Sequence, residues 1–202
     1  MTLLFCPVTY SMPRHLSSIS PISKNTRNLM QKYTWKSGCP VSLENLVEIK
    51  VIYLGFDNRT HQGALIVNKK LANEVVSIFN ELYQQQFPIE RMELMDVFKG
   101  DDIAAMNANN TSAFNCRFMT GKNHVYSQHS YGCAIDINPL INPYVRGNEV
   151  FPRAGKKFVD RHLMLPGMIT NNNIYKIFKK YGWDWGGDWR HLRDYQHFEK
   201  CS

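Results

Sequence analysis

Two segments of this chain carry residue types that together could bind a metal and hydrolyse an amide. One is Ser127-Gln128-His129-Ser130-Tyr131-Gly132-Cys133-Ala134-Ile135-Asp136; the other is Asp194-Tyr195-Gln196-His197. They offer two imidazoles and a carboxylate for one zinc ion, plus a second carboxylate placed to work on the metal's water. Three protein ligands and an open fourth position are what a hydrolytic zinc site needs. If the segments meet in space, the chemistry on offer is metal-assisted hydrolysis.

His129 and Asp136 are seven positions apart, an odd interval. They cannot share one face of a regular strand, because that face repeats every two residues. A loop carrying His129 that leads into a strand carrying Asp136 would converge them, with Gly132 as the flexible position between. Asp136 follows the apolar Ala134 and Ile135, so it stands where a strand emerges from the core. A carboxylate there needs a cation or several donors; a capping or turn aspartate is the alternative. His197 taken alone reads equally well as a partly buried histidine bonded to backbone. Asp194 could take a proton from an attacking water and deliver it to a leaving amine. Otherwise it is a surface carboxylate paired with Arg193 or Arg190.

The elements around these residues read as α+β, with a central antiparallel sheet flanked by helices. Residues 1–45 form an irregular leader, rich in Ser and Pro, or a strap packed over the domain by Leu29, Tyr33 and Trp35. Residues 46–202 form the domain itself. Residues 47–54 alternate and are rich in β-branched side chains, so they read as a strand that returns over residues 63–68. Leu71, Val75, Phe79, Leu82 and Tyr83 share one face at helical spacing over residues 70–86. Strands are expected at 91–98, 114–119, 132–137 and 197–200, a polar loop at 100–110 and a helix at 174–181. A long irregular excursion is expected from residue 139 to about 168.

Hydrophobic content of 44% and charged content of 20% suit one ordinary globular domain in 202 residues. No run of about 18 apolar residues could span a membrane. The first seven residues are apolar but short and lack a basic region, so they do not read as a signal peptide. The net charge of +7 and pI near 9.2 suit an anionic partner. The cations are scattered as pairs such as Lys69-Lys70 and Lys156-Lys157, without the basic and aromatic organisation of a nucleic-acid module. The five cysteines have no CxxC spacing, which argues against a cysteine zinc site. Cys6 and Cys39 could bridge in an exported protein, and Cys133 reads as a small buried packing residue.

The S-x-H-x-x-G-x-A-I-D pattern at residues 127–136, with D-x-x-H-F at 194–198, resembles the zinc D,D-peptidases of the VanX and VanY type. Trp183-Asp184-Trp185-Gly186-Gly187-Asp188-Trp189 resembles a block found in the L-alanyl-D-glutamate endopeptidase branch. The resemblance covers roughly residues 63–200. It implies a hedgehog-like fold and one zinc ion held by His129, Asp136 and His197. It implies Asp194 as general base, and Arg117 as the guanidinium that stabilises the oxyanion. Ser127 would line the substrate cleft. The implied substrate is a peptidoglycan stem peptide, cleaved as a D-alanyl-D-alanine carboxypeptidase or, alternatively, as an L-alanyl-D-glutamate endopeptidase. The implied location is the cell envelope, periplasm or exterior. A zinc-bearing binding module without catalysis is the remaining alternative. His124, His162 and His191 match no family position. Trp183, Trp185 and Trp189 are expected in the core or in a cleft wall. Asp188 is expected to orient a ligand histidine or cap a turn, and Asp101 and Asp102 are candidates for a substrate ammonium.

Overall fold

The structure is a computed structural model and describes residues 17–171 and 173–200. Strands β2 (Leu46–Leu54) and β3 (Thr60–Asn68) form the expected hairpin, paired from Leu46–Asn68 to Leu54–Thr60. Its turn closes where Gly55 N–H donates to the Arg59 carbonyl. Alternation sorts the hairpin's side chains by face. Val47, Ile49, Val51, Leu65 and Val67 join the larger core. Leu46 and Ile66 join a smaller core on the opposite face.

Helix α2 (Ala72–Gln84) buries Val75, Ile78, Phe79 and Leu82 against the larger core, as the helical spacing predicts. The smaller core lies beneath the region expected to be irregular. That region contains β1 (Ser18–Pro21), which pairs with β2, and helix α1 (Lys24–Tyr33). Ser23 caps α1 by accepting from Thr26 N–H. The residue that anchors α1 is the fully buried Met30. Of the three expected anchors, Trp35 packs against this core, while Leu29 is exposed.

Instead of one central sheet, the described residues form three small antiparallel sheets of three strands each. The second sheet sets β9 (His197–Glu199) between β4 (Ala134–Asp136) and β7 (Asp184–Trp185). In the third, β5 (Tyr144–Arg146) lies between β6 (Glu149–Phe151) and β8 (Arg193–Asp194). The short helix α4 (Ile174–Lys180) brings Phe178 onto Phe198 of β9, with ring centroids 3.8 Å apart.

Four local expectations are corrected. Residues 91–98 do not form a strand. The Asn110 side chain satisfies both the N–H and the carbonyl of Glu93, and a 3-10 turn follows at Met95–Phe98. The polar stretch 100–110 contains helix α3 (Asp102–Asn107), which Asp101 caps by accepting from Ala104 N–H. Residues 114–119 change partner too often to be a strand. Phe114 N–H donates to Ile66 of β3, and Cys116 N–H donates to Thr34 beyond α1. Cys39 is bridged to Cys116 and not to Cys6, which lies outside the described residues.

Candidate metal centre

His129 lies on a single 3-10 turn, Gln128–Tyr131. Ser127 starts that turn, its hydroxyl accepting from His129 N–H at 3.4 Å. Gly132 ends it at φ +70°, a left-handed conformation that glycine adopts without strain. A Cβ there would also lie 2.6 Å from the Asn68 nitrogen. That close approach lets the Gly132 carbonyl accept from Asn68 N–H and dock the turn on the end of β3. The chain then enters β4, where Asp136 stands directly opposite His197 of β9. A turn leading into a strand thus solves the odd spacing of His129 and Asp136.

All three side chains are buried, and their ligand atoms lie within 4.8 Å of one another. His197 Nδ1 is 2.9 Å from Asp136 Oδ1, and His129 Nε2 is 3.1 Å from Asp136 Oδ2. The two facing imidazole nitrogens are 3.2 Å apart. Hydrogen bonds on the far side of each ring define its state. His129 Nδ1 donates to the Ala113 carbonyl at 2.5 Å, so its Nε2 presents a lone pair when the ring is neutral. His197 Nε2 donates to Glu199 Oε2 at 3.0 Å, so its Nδ1 is the inward atom. Two nitrogens and two carboxylate oxygens therefore converge in a buried space. Such a set is repulsive unless a proton or cation lies between them, and it fits a divalent ion that takes N and O ligands.

Without a cation, protons take that place. Burial lowers the affinity of His197 for a proton, but the Asp136 and Glu199 carboxylates reverse the effect and push it up to about 10. Burial alone would raise Asp136; the facing imidazoles of His129 and His197 overcome this and hold its carboxyl well below the usual range.

Asp194 comes from β8, at the edge of the third sheet, where it pairs with Tyr144. Its carboxyl lines the same cleft as the three convergent residues. Burial raises it to about 6, against the opposing pull of His197. Neither expected arginine holds it. Arg193 donates to the carbonyls of Gly187 and Trp189, and the Gln196 amide donates to Asp194 Oδ1 at 3.1 Å. The Trp-Gly-Gly-Asp-Trp block explains how β8 comes so close. A Cβ on Gly186 would lie 2.6 Å from the Asp194 carbonyl oxygen and 2.7 Å from its Cβ. Only a glycine leaves room for Asp194 there.

Arg117 lines the cleft as well. Its Nη2 pairs with Asp102 Oδ2 at 3.0 Å, while its buried Nε has no hydrogen-bond partner. The Ser130 hydroxyl accepts from Arg117 N–H and donates to its carbonyl, fixing that backbone beside the ligand turn. Asp101 caps α3, and Asp102, paired to Arg117, lines the cleft. Ser127 lines the cleft, but its hydroxyl is occupied as the cap. Trp183 and Trp185 are core residues, and only Trp189 of the block lines the cleft, its ring 5.5 Å from that of His197. His124 lines the outer cleft, whereas His162 and His191 are exposed. Asp188 is exposed, and the carboxylate bonded to His197 Nε2 is that of Glu199. The sequence does carry a signal for Glu199, since the second residue after a ligand on a strand returns to the ligand's face.

The cleft that joins these groups has a volume of about 1060 Å³. Residues 120–200 match the family model described as D-alanyl-D-alanine carboxypeptidase. Over this stretch the chain is similar to that peptidase family. His129, Asp136, Asp194 and His197 all fall within the match, and Arg117 lies just before it. No curated protein and no solved structure matches the chain.

Proposed function

We propose that this protein is a zinc-dependent peptidase of peptidoglycan stem peptides, acting as a D-alanyl-D-alanine carboxypeptidase on a hedgehog-like fold. One observation carries the reading: a buried His129, Asp136 and His197 centre shares a cleft with a carboxylate, Asp194, raised towards the working range of a general base. The family description supports the substrate class.

Zinc held by His129, Asp136 and His197 would lower the pKa of a water and polarise the scissile carbonyl. Asp194 takes the proton from the attacking water and later delivers it to the nitrogen of the leaving amine. The Gln196 amide keeps the Asp194 carboxylate oriented for both transfers. Arg117, held by Asp102 and with its Nε unpaired, donates to the carbonyl oxygen as negative charge develops there. Ser127 acts through the His129 turn that it caps, at the cleft wall.

The size of the cleft favours one second reading. At about 1060 Å³ it has room for more than a terminal dipeptide, as an L-alanyl-D-glutamate endopeptidase would require. Mass spectrometry of digested muropeptides separates the two. A carboxypeptidase releases a single alanine, whereas an endopeptidase releases the stem from D-glutamate onward and leaves L-alanine behind. A chain that binds zinc but changes no muropeptide mass would overturn both in favour of a binding module. The Cys39–Cys116 bridge supports placing the protein in an oxidising compartment, the cell envelope or beyond.

A further inference from the structure

The two candidate histidine ligands are held from behind in chemically different ways. The partner of His129 is a neutral backbone carbonyl, that of Ala113. The partner of His197 is a side-chain carboxylate, that of Glu199, at 3.0 Å. From these contacts we propose that Glu199 is a positioning residue for the metal centre, setting both the ring orientation and the donor strength of His197.

The backbone makes this contact hard to avoid. His197 and Glu199 are two positions apart on β9, so they share a face, while Phe198 points to the core between them. β9 is the central strand of its sheet, with Glu199 registered against Ala134 on one side and Asp184 on the other. Next along the chain, the Lys200 ammonium is tied to both oxygens of Glu74 and to the Tyr181 carbonyl. The strand therefore cannot rotate to take Glu199 away. The carboxylate is mostly buried, with 22% of its side-chain surface exposed.

Two consequences follow for the ring. A half-turn of the imidazole about its Cβ–Cγ bond would carry Nδ1 away from Asp136, and it would also break the charge-assisted bond to Glu199, so that bond opposes the flip. With the Nε2 proton committed to a carboxylate, Nδ1 is left as the lone-pair atom and becomes more electron-rich. Outer partners of this kind are typically responsible for a 10-fold to 100-fold change in metal affinity. The Ala113 carbonyl carries no full charge and cannot be removed by substitution, so the tunable partner is the one behind His197.

This inference rests on the metal-centre reading, and metal binding tests it without any peptide substrate. Zinc affinity is measured by competition with a chromophoric chelator for the wild type, Glu199→Ala and Glu199→Gln. The expected affinity loss is about 10-fold to 100-fold for alanine, and about threefold to tenfold for glutamine, which keeps an acceptor without the charge. Long-range nitrogen–proton spectra of the zinc-loaded glutamine variant should still show His197 protonated at Nε2. If the alanine variant fails to fold, the glutamine variant decides. Affinity within twofold of wild type in either folded variant, or a His197 ring protonated at Nδ1, overturns the role of Glu199. A wild type that binds no zinc overturns the metal-centre reading itself, and this inference with it.

Discussion

The hairpin and the candidate centre are built on opposite plans. β2 and β3 are nine residues each and form one continuous ladder. The strands that carry Asp136, Asp194 and His197 have only two or three residues. A long ladder makes a stiff platform, but it repeats one direction and cannot turn three donors towards a point. Short strands joined by turns can, at the cost of leaving backbone groups without ladder partners. Buried asparagines supply those partners. Asn138 serves Glu90 N–H and the carbonyls of Pro88 and Gly167, and Asn142 serves Ile169 N–H and the carbonyls of Ile137 and Gly167. Apolar burial thus holds the platform, and polar side chains hold the site.

The largest effect should come from emptying the centre. His129→Ala is expected to abolish zinc binding and bring peptide hydrolysis to background, while far-UV circular dichroism stays close to wild type. A collapse of the whole spectrum would show that the two regions are not separable. Next comes Asp194→Asn, which should keep its zinc and lose at least about 100-fold in kcat. Retained hydrolysis in this variant would remove Asp194 from the mechanism.

On the platform, Phe79→Ala should cost about 3–5 kcal/mol in denaturant unfolding. Its zinc affinity at a temperature where it is folded should be unchanged. A weakened affinity would mean that the α2 core strains the centre.

Acid should act on the site first. Asp194 works as a base only when ionised, and burial raises it to about 6. kcat/KM should therefore fall as pH drops through that value, or through a lower one when a nearby dication favours the carboxylate. An acid limb above pH 7 would contradict the assignment. Stability of the metal-free protein has its own pH signature. His197 is raised to about 10, so its contribution is fully present below about 6.5 and is lost as pH rises through 10. The smallest change is Ser127→Ala, which removes one cap and should cost about 1 kcal/mol.

The sequence showed these two regions unequally. The platform was readable because alternation from Val47 to Leu54 and helical spacing from Leu71 to Leu82 report burial directly. Convergence of His129 and Asp136 could be argued from an odd interval and a glycine. β1 and α1 were hidden by the Ser and Pro around them, since the burial of Met30 depends on a sheet face that no local pattern announces. α3 was masked by its shortness and by the polar residues on either side of Ile103–Met106, although Asp101 is a regular cap. The strand expected at 91–98 failed because a distant side chain, Asn110, took the hydrogen bonds that a neighbouring strand would have made. Glu199 was legible in principle, since residues 197–200 read as a strand and the second residue after His197 returns to its face.

The Cys39–Cys116 bridge links residues 77 apart, from just beyond α1 to the neighbour of Arg117. Closing a loop of that length in the unfolded chain is worth roughly 4–5 kcal/mol in chain entropy. The tether runs from the smaller core to the cleft wall and encloses the whole hairpin and α2, so reducing it would loosen the unfolded form of both building plans at once.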